Sequence, residues 1–121
     1  MKTITIVGGG LAGLVLGLRL RQLGVEVRLY EKRAYPQHKV CGEFISGVSQ
    51  ATLQRLELMD HLSDACKISD VEWFIRDKKI FKHHFKTAAL GISRFHLDRL
   101  LAERFEQLGG VIIKQLSLIH I

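Results

Sequence analysis

Residues 8–13 read Gly-Gly-Gly-Leu-Ala-Gly and follow a short apolar run, Thr3 to Val7, without a spacer. Gly8, Gly10 and Gly13 fill the pattern Gly-x-Gly-x-x-Gly at the point where that strand must end. A helical pattern then covers Leu11 to Leu23. A second strand pattern, Glu26 to Tyr30, ends at an acid, Glu31, which stands 18 residues past Gly13. Strand, glycine turn, helix, strand and acid at this distance make a dinucleotide-binding unit. Gly8 lets the chain turn sharply out of the strand. Gly10, with no Cβ, lets backbone approach a pyrophosphate, and Gly13 lets the helix pack tightly on the strands. The helix N-terminus then presents free N–H groups and a positive dipole end to the phosphates. Gly17, one turn after Gly13, suits close helix–sheet contact. Glu31 would accept hydrogen bonds from ribose hydroxyls, and its charge would repel a 2′-phosphate, so an NADP preference at this site is not expected.

The remaining composition narrows the class without adding a second site. With 121 residues, 47% apolar and 25% charged, the chain has the composition of a soluble globular domain with a real core. No apolar run approaches the roughly 18 residues of a spanning helix. Met1-Lys2 leads straight into the first strand, so no signal peptide is expected and the expected location is cytoplasmic. Cys41 and Cys66 form neither a Cys-x-x-Cys pair nor a metal spacing and read as free thiols. His83 and His84, adjacent on a strand, would point to opposite faces, so no metal site is expected. The net charge of +6 comes partly from Lys78, Lys79, Lys82 and Lys86, which cluster without an aromatic stacking pattern. They read as a solvated face, and no nucleic-acid partner is expected.

In the first helix Leu11, Leu14, Val15 and Leu18 mark an apolar face, and Gly24 follows as a stop. Val25, Val27 and Leu29 alternate with Glu26, Arg28 and Tyr30, a milder burial than a central parallel strand usually shows. Lys32 to Val48 has no period and reads as an ordered loop, of a length that is usually functional or flexible. Ser49 is placed to cap a helix through Leu53, Leu56 and Leu58, and a short second helix is expected over Asp60 to Ala65. Ile68 to Ile75 and Ile80 to Phe85 read as an antiparallel hairpin joined by Asp77-Lys78-Lys79, a turn without the favoured glycine. Trp73 and Phe74 would fall on opposite faces. Ala88 to Ile92 reads as a short apolar link. Ser93 would cap a helix starting near Phe95, with Leu97, Leu100, Leu101, Phe105 and Leu108 buried. Gly109-Gly110 ends it, and Val111, Ile112 and Ile113 start another strand.

This order predicts an α/β fold: a Rossmann-like doubly wound parallel sheet, interrupted by an antiparallel hairpin. Expected divisions are residues 1–66 for the βαβ unit and its following loop, 67–93 for a hairpin that starts a second layer, and 94–115 for the return helix and strand. The tail, residues 116–121, has no turn signal or polar finish. It resembles the translation of a sequencing adapter and reads as a non-native end to a truncated chain, with an ordinary C-terminal strand as the alternative.

Three stretches carry a resemblance. Gly8 to Glu31 resembles the FAD-binding start of the glutathione-reductase-like flavoproteins. Tyr35-Pro36-Gln37-His38-Lys39-Val40-Cys41-Gly42-Glu43-Phe44-Ile45-Ser46 is similar to a loop of geranylgeranyl reductase-type flavoproteins. Gly91-Ile92-Ser93-Arg94-Phe95-His96-Leu97-Asp98, with Leu101 after it, resembles the arginine-led helix start that they share with aromatic-ring flavin monooxygenases. The resemblance implies FAD at the N-terminal site, with NAD(P)H as electron donor. It implies cofactor contacts at Gly8, Gly10, Leu11, Ala12, Gly13, Glu31, Lys32, Cys41, Gly42 and Arg94. Cys41, beside the flavin, is the catalytic candidate; packing of a small buried residue is its alternative role. Glu43 reads as a loop anchor, and His38 as exposed. The implied activity is reduction of a carbon–carbon double bond of an isoprenoid-like substrate. The alternatives are a flavin monooxygenase or halogenase, and a non-catalytic nucleotide-binding fragment. The Asp-Gly and Gly-Asp flavin segments of that family are absent from these residues, so the chain by itself is expected to be inactive. A small, lipid-like substrate and peripheral membrane contact fit the resemblance; the oligomeric state is left open.

Overall fold

Two three-stranded sheets, one parallel and one antiparallel, carry the fold in a computed structural model of the protein, which describes residues 2–41 and 43–114. The elements run β1 (Ile4–Val7), α1 (Leu11–Gln22), β2 (Val27–Glu31), β3 (Phe44–Ile45), α2 (Gln50–Arg55), a 3₁₀ turn (Asp60–Leu62), β4 (Cys66–Ile75), β5 (Lys78–Gly91), α3 (Arg94–Gln107) and β6 (Val111–Lys114). They gather into two compact units. One holds the described residues up to Val40 and from Arg94 onward; the other holds Cys41–Ser93. The tail at 116–121 lies outside the described residues, as does Gly42.

The first unit is a βαβαβ half of a doubly wound sheet. Its strands lie in the order β1-β2-β6 and are all parallel, with Ile6 opposite Leu29 and Glu31 opposite Lys114. Such an order needs a helical crossover between successive strands, and α1 and α3 supply them. The two helices pack on each other, so both cover the same side of the sheet. Val27 and Leu29 point into that side and are fully buried, while Arg28 between them is exposed. The alternation along β2 therefore reflects a sheet with one covered face. Phe105 of α3 is fully buried where α3 packs on α1, whose Leu14 and Leu18 are fully buried as well. Gly17 permits that approach: a Cβ there would sit 2.9 Å from the Phe105 ring and 3.4 Å from Ile6. The contact at Gly17 is thus helix on helix as well as helix on sheet.

The second unit is the antiparallel sheet β3-β5-β4 with α2 and the 3₁₀ turn. Residues 41–66, expected beside the first βαβ unit, cluster with the hairpin, because β3 pairs with the end of β5. The stretch 88–92, expected to be a link, mostly belongs to a longer strand: Ala89 to Gly91 pair with Ile68 to Cys66 on one side, and Leu90 and Gly91 with β3 on the other. Backbone pairing on two sides outweighs the weak strand preference of Ala and Gly. The hairpin turn is also tighter than expected. Ile75 pairs with Lys78, leaving the two-residue loop Arg76-Asp77 with φ of 46° and 64°. Both positive angles belong to a type I′ turn, adopted without glycine. Ser49 caps α2, its hydroxyl accepting the Thr52 N–H at 3.1 Å. Leu53, Leu56, Leu58 and Leu62 are buried with Ala89. Trp73 and Phe74 are both exposed, at 61% and 57%.

Candidate dinucleotide site

The site is built where β1 delivers the chain into α1. Gly8 turns at φ +101°, a conformation that favours glycine, and its N–H is tied to Tyr30 O at 2.8 Å. Gly10 caps α1 in an extended conformation, and no side chain caps the helix. The first helical hydrogen bond runs from Leu14 N–H to Gly10 O at 3.0 Å. The N–H groups of Leu11, Ala12 and Gly13 come before it and have no partner within the helix.

The glycines divide by the space around them. A Cβ on Gly13 would lie 2.0 Å from Gly8 O, so this glycine is required by helix–strand packing. A Cβ on Gly9 would lie 1.8 Å from the Tyr35 hydroxyl and 3.0 Å from Glu31 and Leu29. At Gly10 a Cβ would meet nothing within 4 Å, and the backbone angles (φ −74°, ψ −174°) suit any residue. Nothing within the described residues demands glycine at position 10. The open space above it, bordered by free helix N–H groups, fits a phosphate approaching the backbone closely.

Glu31 sits at the end of β2, half-buried. Its Oε2 accepts the Gly9 N–H at 2.7 Å and its Oε1 accepts the Arg33 N–H at 3.0 Å. A carboxylate has about four lone-pair sites, so two of these bonds leave capacity for ribose hydroxyls. The Tyr35 hydroxyl donates to Gly9 O. Burial, then the neighbouring carboxylates of Glu31, Asp98 and Glu106, push the Tyr35 phenol well above its usual range. It stays a neutral donor at any working pH. Lys32, next to Glu31, is exposed.

Arg94 opens α3 and grips Asp98 one turn later, with Nε at 2.9 Å from Oδ1 and Nη2 at 3.2 Å from Oδ2. Lys39 Nζ reaches the same carboxylate at 3.3 Å. Asp98 is fully buried, while Arg94 and Lys39 remain partly open. One carboxylate thus holds two cations. His38 is exposed and stacks on Phe95 with ring centroids 4.7 Å apart.

Cys41 begins the second unit. It is exposed among the described residues, and its Sγ accepts the Glu43 N–H at 3.4 Å. Glu43 adopts φ 57° and its carbonyl accepts the Ile92 N–H at 2.8 Å, so its backbone anchors the loop to the end of β5. The same unit holds an open cavity of about 590 Å³ lined by Ile45, Leu53, Met59, Leu62, Leu90 and Lys67 among others.

The glycines, Glu31 and the start of α1 are therefore assembled in one place. Gly9, Tyr35, Lys39 and Asp98 are absent from the sequence-based site. Position 9 is a free position of the motif, and nothing in the chain marks the segment 35–39 as folding back over it. Asp98 did carry a signal. It lies three, four and seven residues before Leu101, Ala102 and Phe105, on the buried stripe of α3, where an acid must have a partner.

Comparison with known proteins agrees with this geometry. The description of an NAD(P)-binding Rossmann-like domain matches residues 6–37, which span the glycine loop, α1, β2 and Tyr35. The chain is 26% identical to 2-methyl-3-hydroxypyridine-5-carboxylic acid oxygenase, with a TM-score of 0.84 over 95% of this chain and 32% of that one. It shares its fold with the myxobacterial chondrochloren halogenase CndH, described as a variant of FAD-dependent halogenases, at 20% identity and a TM-score of 0.74 over 95% of this chain and 29% of that one. It is 28% identical, along its whole length, to a methylenetetrahydrofolate–tRNA-(uracil-5-)-methyltransferase (TrmFO) of Lactobacillus gasseri, of which it spans 26%. The chain has a Rossmann-like α/β fold, and it spans a third or less of each of these relatives.

Proposed function

We propose that the intact protein is an FAD-dependent oxidoreductase and that the described residues form the adenine-nucleotide end of its cofactor site. The observation that carries this reading is Gly10, a glycine with open space above it beside three free N–H groups. Leu11, Ala12 and Gly13 would donate to the diphosphate, and Glu31 would accept from the adenosine ribose. Arg94, with Lys32 exposed at the end of β2, would balance phosphate charge. FAD, when bound, supplies hydride or oxygen chemistry at its ring. Cys41, which is exposed, would orient substrate.

Two substrate chemistries divide the reading. The loop around Cys41 and Gly42 favours reduction of a carbon–carbon double bond in an isoprenoid-like substrate, with NAD(P)H as donor. The likeness to an oxygenase at 26% identity favours a monooxygenase, and the likeness of fold to a halogenase extends that alternative. In either case the substrate would be a small molecule, lipid-like in the reductase, and contact with a membrane would be peripheral. Among the described residues no helix is long and apolar enough to cross a membrane. Pairing of Lys79 and Lys82 with Glu72 and Asp70 supports a solvated hairpin in preference to a nucleic-acid surface. A cytoplasmic location is part of the proposal.

The test is donor-driven turnover of the intact, flavin-loaded protein with and without oxygen. A reductase gives saturated product under both conditions, whereas a monooxygenase stops without oxygen. Absence of flavin from the purified protein, together with failure to take up added FAD, would contradict both.

A further inference from the structure

Position 9 is a free position in Gly-x-Gly-x-x-Gly, yet here it has no room for a side chain. The obstacle is Tyr35, whose hydroxyl occupies the place a Cβ would take, 1.8 Å from it. The same hydroxyl donates to Gly9 O, while Glu31 accepts the Gly9 N–H at 2.7 Å. Two successive peptide units, 8–9 and 9–10, are thus held by side chains of one segment, residues 31–35. The second unit leads directly into the Gly10 cap of α1, whose orientation sets where the N–H groups of Leu11, Ala12 and Gly13 point. Gly9 is buried, so water does not replace the Tyr35 bond easily.

We propose that Tyr35 is a positioning residue for the dinucleotide loop: its hydroxyl pins the Gly9–Gly10 peptide, aims the α1 N–H groups at the diphosphate and makes glycine obligatory at position 9. This rests on the FAD reading of the site. A neutral O–H donor suits the role better than a charged one. It fixes the carbonyl without placing a cation that would bind the Glu31 carboxylate in place of ribose. Tyr35 keeps its proton because burial and the adjacent acids oppose its ionisation. Glycine 9 is then explained by the protein's own packing, and glycine 10 by the ligand.

The experiment is FAD titration of the intact apoprotein, followed by flavin fluorescence, for wild type, Tyr35→Phe, Tyr35→Ala, Gly9→Ala and the double variant Gly9→Ala/Tyr35→Ala. Melting temperature and the Gly9 amide resonance are recorded without cofactor. Loss of the bond that pins the loop predicts about tenfold weaker FAD binding for Tyr35→Phe, with a lowered melting temperature but a folded protein and a shifted Gly9 amide. Gly9→Ala is expected to lose binding, and removing Tyr35 in the same chain to restore part of it, because the severest clash is with that side chain while Glu31 and Leu29, at 3.0 Å, must still give slightly. Unchanged affinity in Tyr35→Phe, or a double variant no better than Gly9→Ala alone, would overturn the proposal. A wild-type apoprotein that takes up no FAD would instead overturn the cofactor reading, and this role for Tyr35 with it.

Discussion

The two sheets have the same number of strands and differ in how far their own unit covers them. In the parallel unit Val27, Leu29, Leu14, Leu18 and Phe105 are fully buried. In the antiparallel unit the outer hairpin leaves Trp73, Phe74, Ile75, Ile80 and Phe81 between 47% and 61% exposed. Trp73 and Phe81 face each other at 5.6 Å, and Phe81, His83 and Phe85 continue the row along one face of β5. The difference follows from connection. Parallel strands need crossovers, and each crossover helix covers the sheet it joins. A hairpin closes in two residues and brings no cover with it. The parallel unit thereby holds its loop glycines at defined positions through its own packing, as a preorganised site requires.

Substitutions in each unit should therefore have unequal effects. The largest is expected at Asp98. Asp98→Ala leaves Arg94 and Lys39 without their shared buried carboxylate, and should cost about 3–5 kcal/mol of stability by chemical unfolding. A loss below 1 kcal/mol would mean that this buried cluster contributes little to the fold. In the other unit, Ser49→Ala removes the α2 cap and should cost about 1 kcal/mol. Asp77→Gly should stabilise by about 0.5–1 kcal/mol, because glycine takes the positive φ of the turn without strain. Trp73→Ser should change stability by less than about 0.5 kcal/mol if the outer hairpin stays as open as it is here. A larger loss in the intact protein would show that another part of it covers this face.

The smallest effect concerns pH. The hydrogen bond with His84, at 3.0 Å, and then the charge of Lys82, hold the exposed Asp70 below the usual carboxylate range. Its folded pKa is lowered, so its contribution is present above the ordinary value of about 3.9 and is lost as pH falls through the lowered one. The stability difference between wild type and Asp70→Asn should accordingly shrink toward zero in acid. A difference that keeps growing as pH falls below about 3.9 would reverse the sign and exclude the pair as its source.

The same contrast explains what could be read from the chain alone. The parallel half was legible because periodicity, turn glycines and the acid at Glu31 all repeat one local logic. The hairpin was legible as a hairpin, but its turn was displaced to Arg76-Asp77, since nothing in those residue types announces positive φ. The extension of β5 through Ala89 to Gly91 depends on partners from β3 and β4, which no local window contains. The site divided likewise. Gly8, Gly10, Gly13 and Glu31 follow from spacing, whereas Gly9 depends on Tyr35, 26 residues away, and becomes meaningful only once that segment folds back.

The central claim is that Gly10 is kept open for a ligand and not for the fold. It is tested most directly by Gly10→Ala in the intact apoprotein, with melting temperature and FAD affinity measured on the same sample. The expected result is a melting temperature close to wild type and collapsed FAD binding, because the added methyl meets no protein atom and stands where the diphosphate would approach. Wild-type affinity in Gly10→Ala would contradict the account.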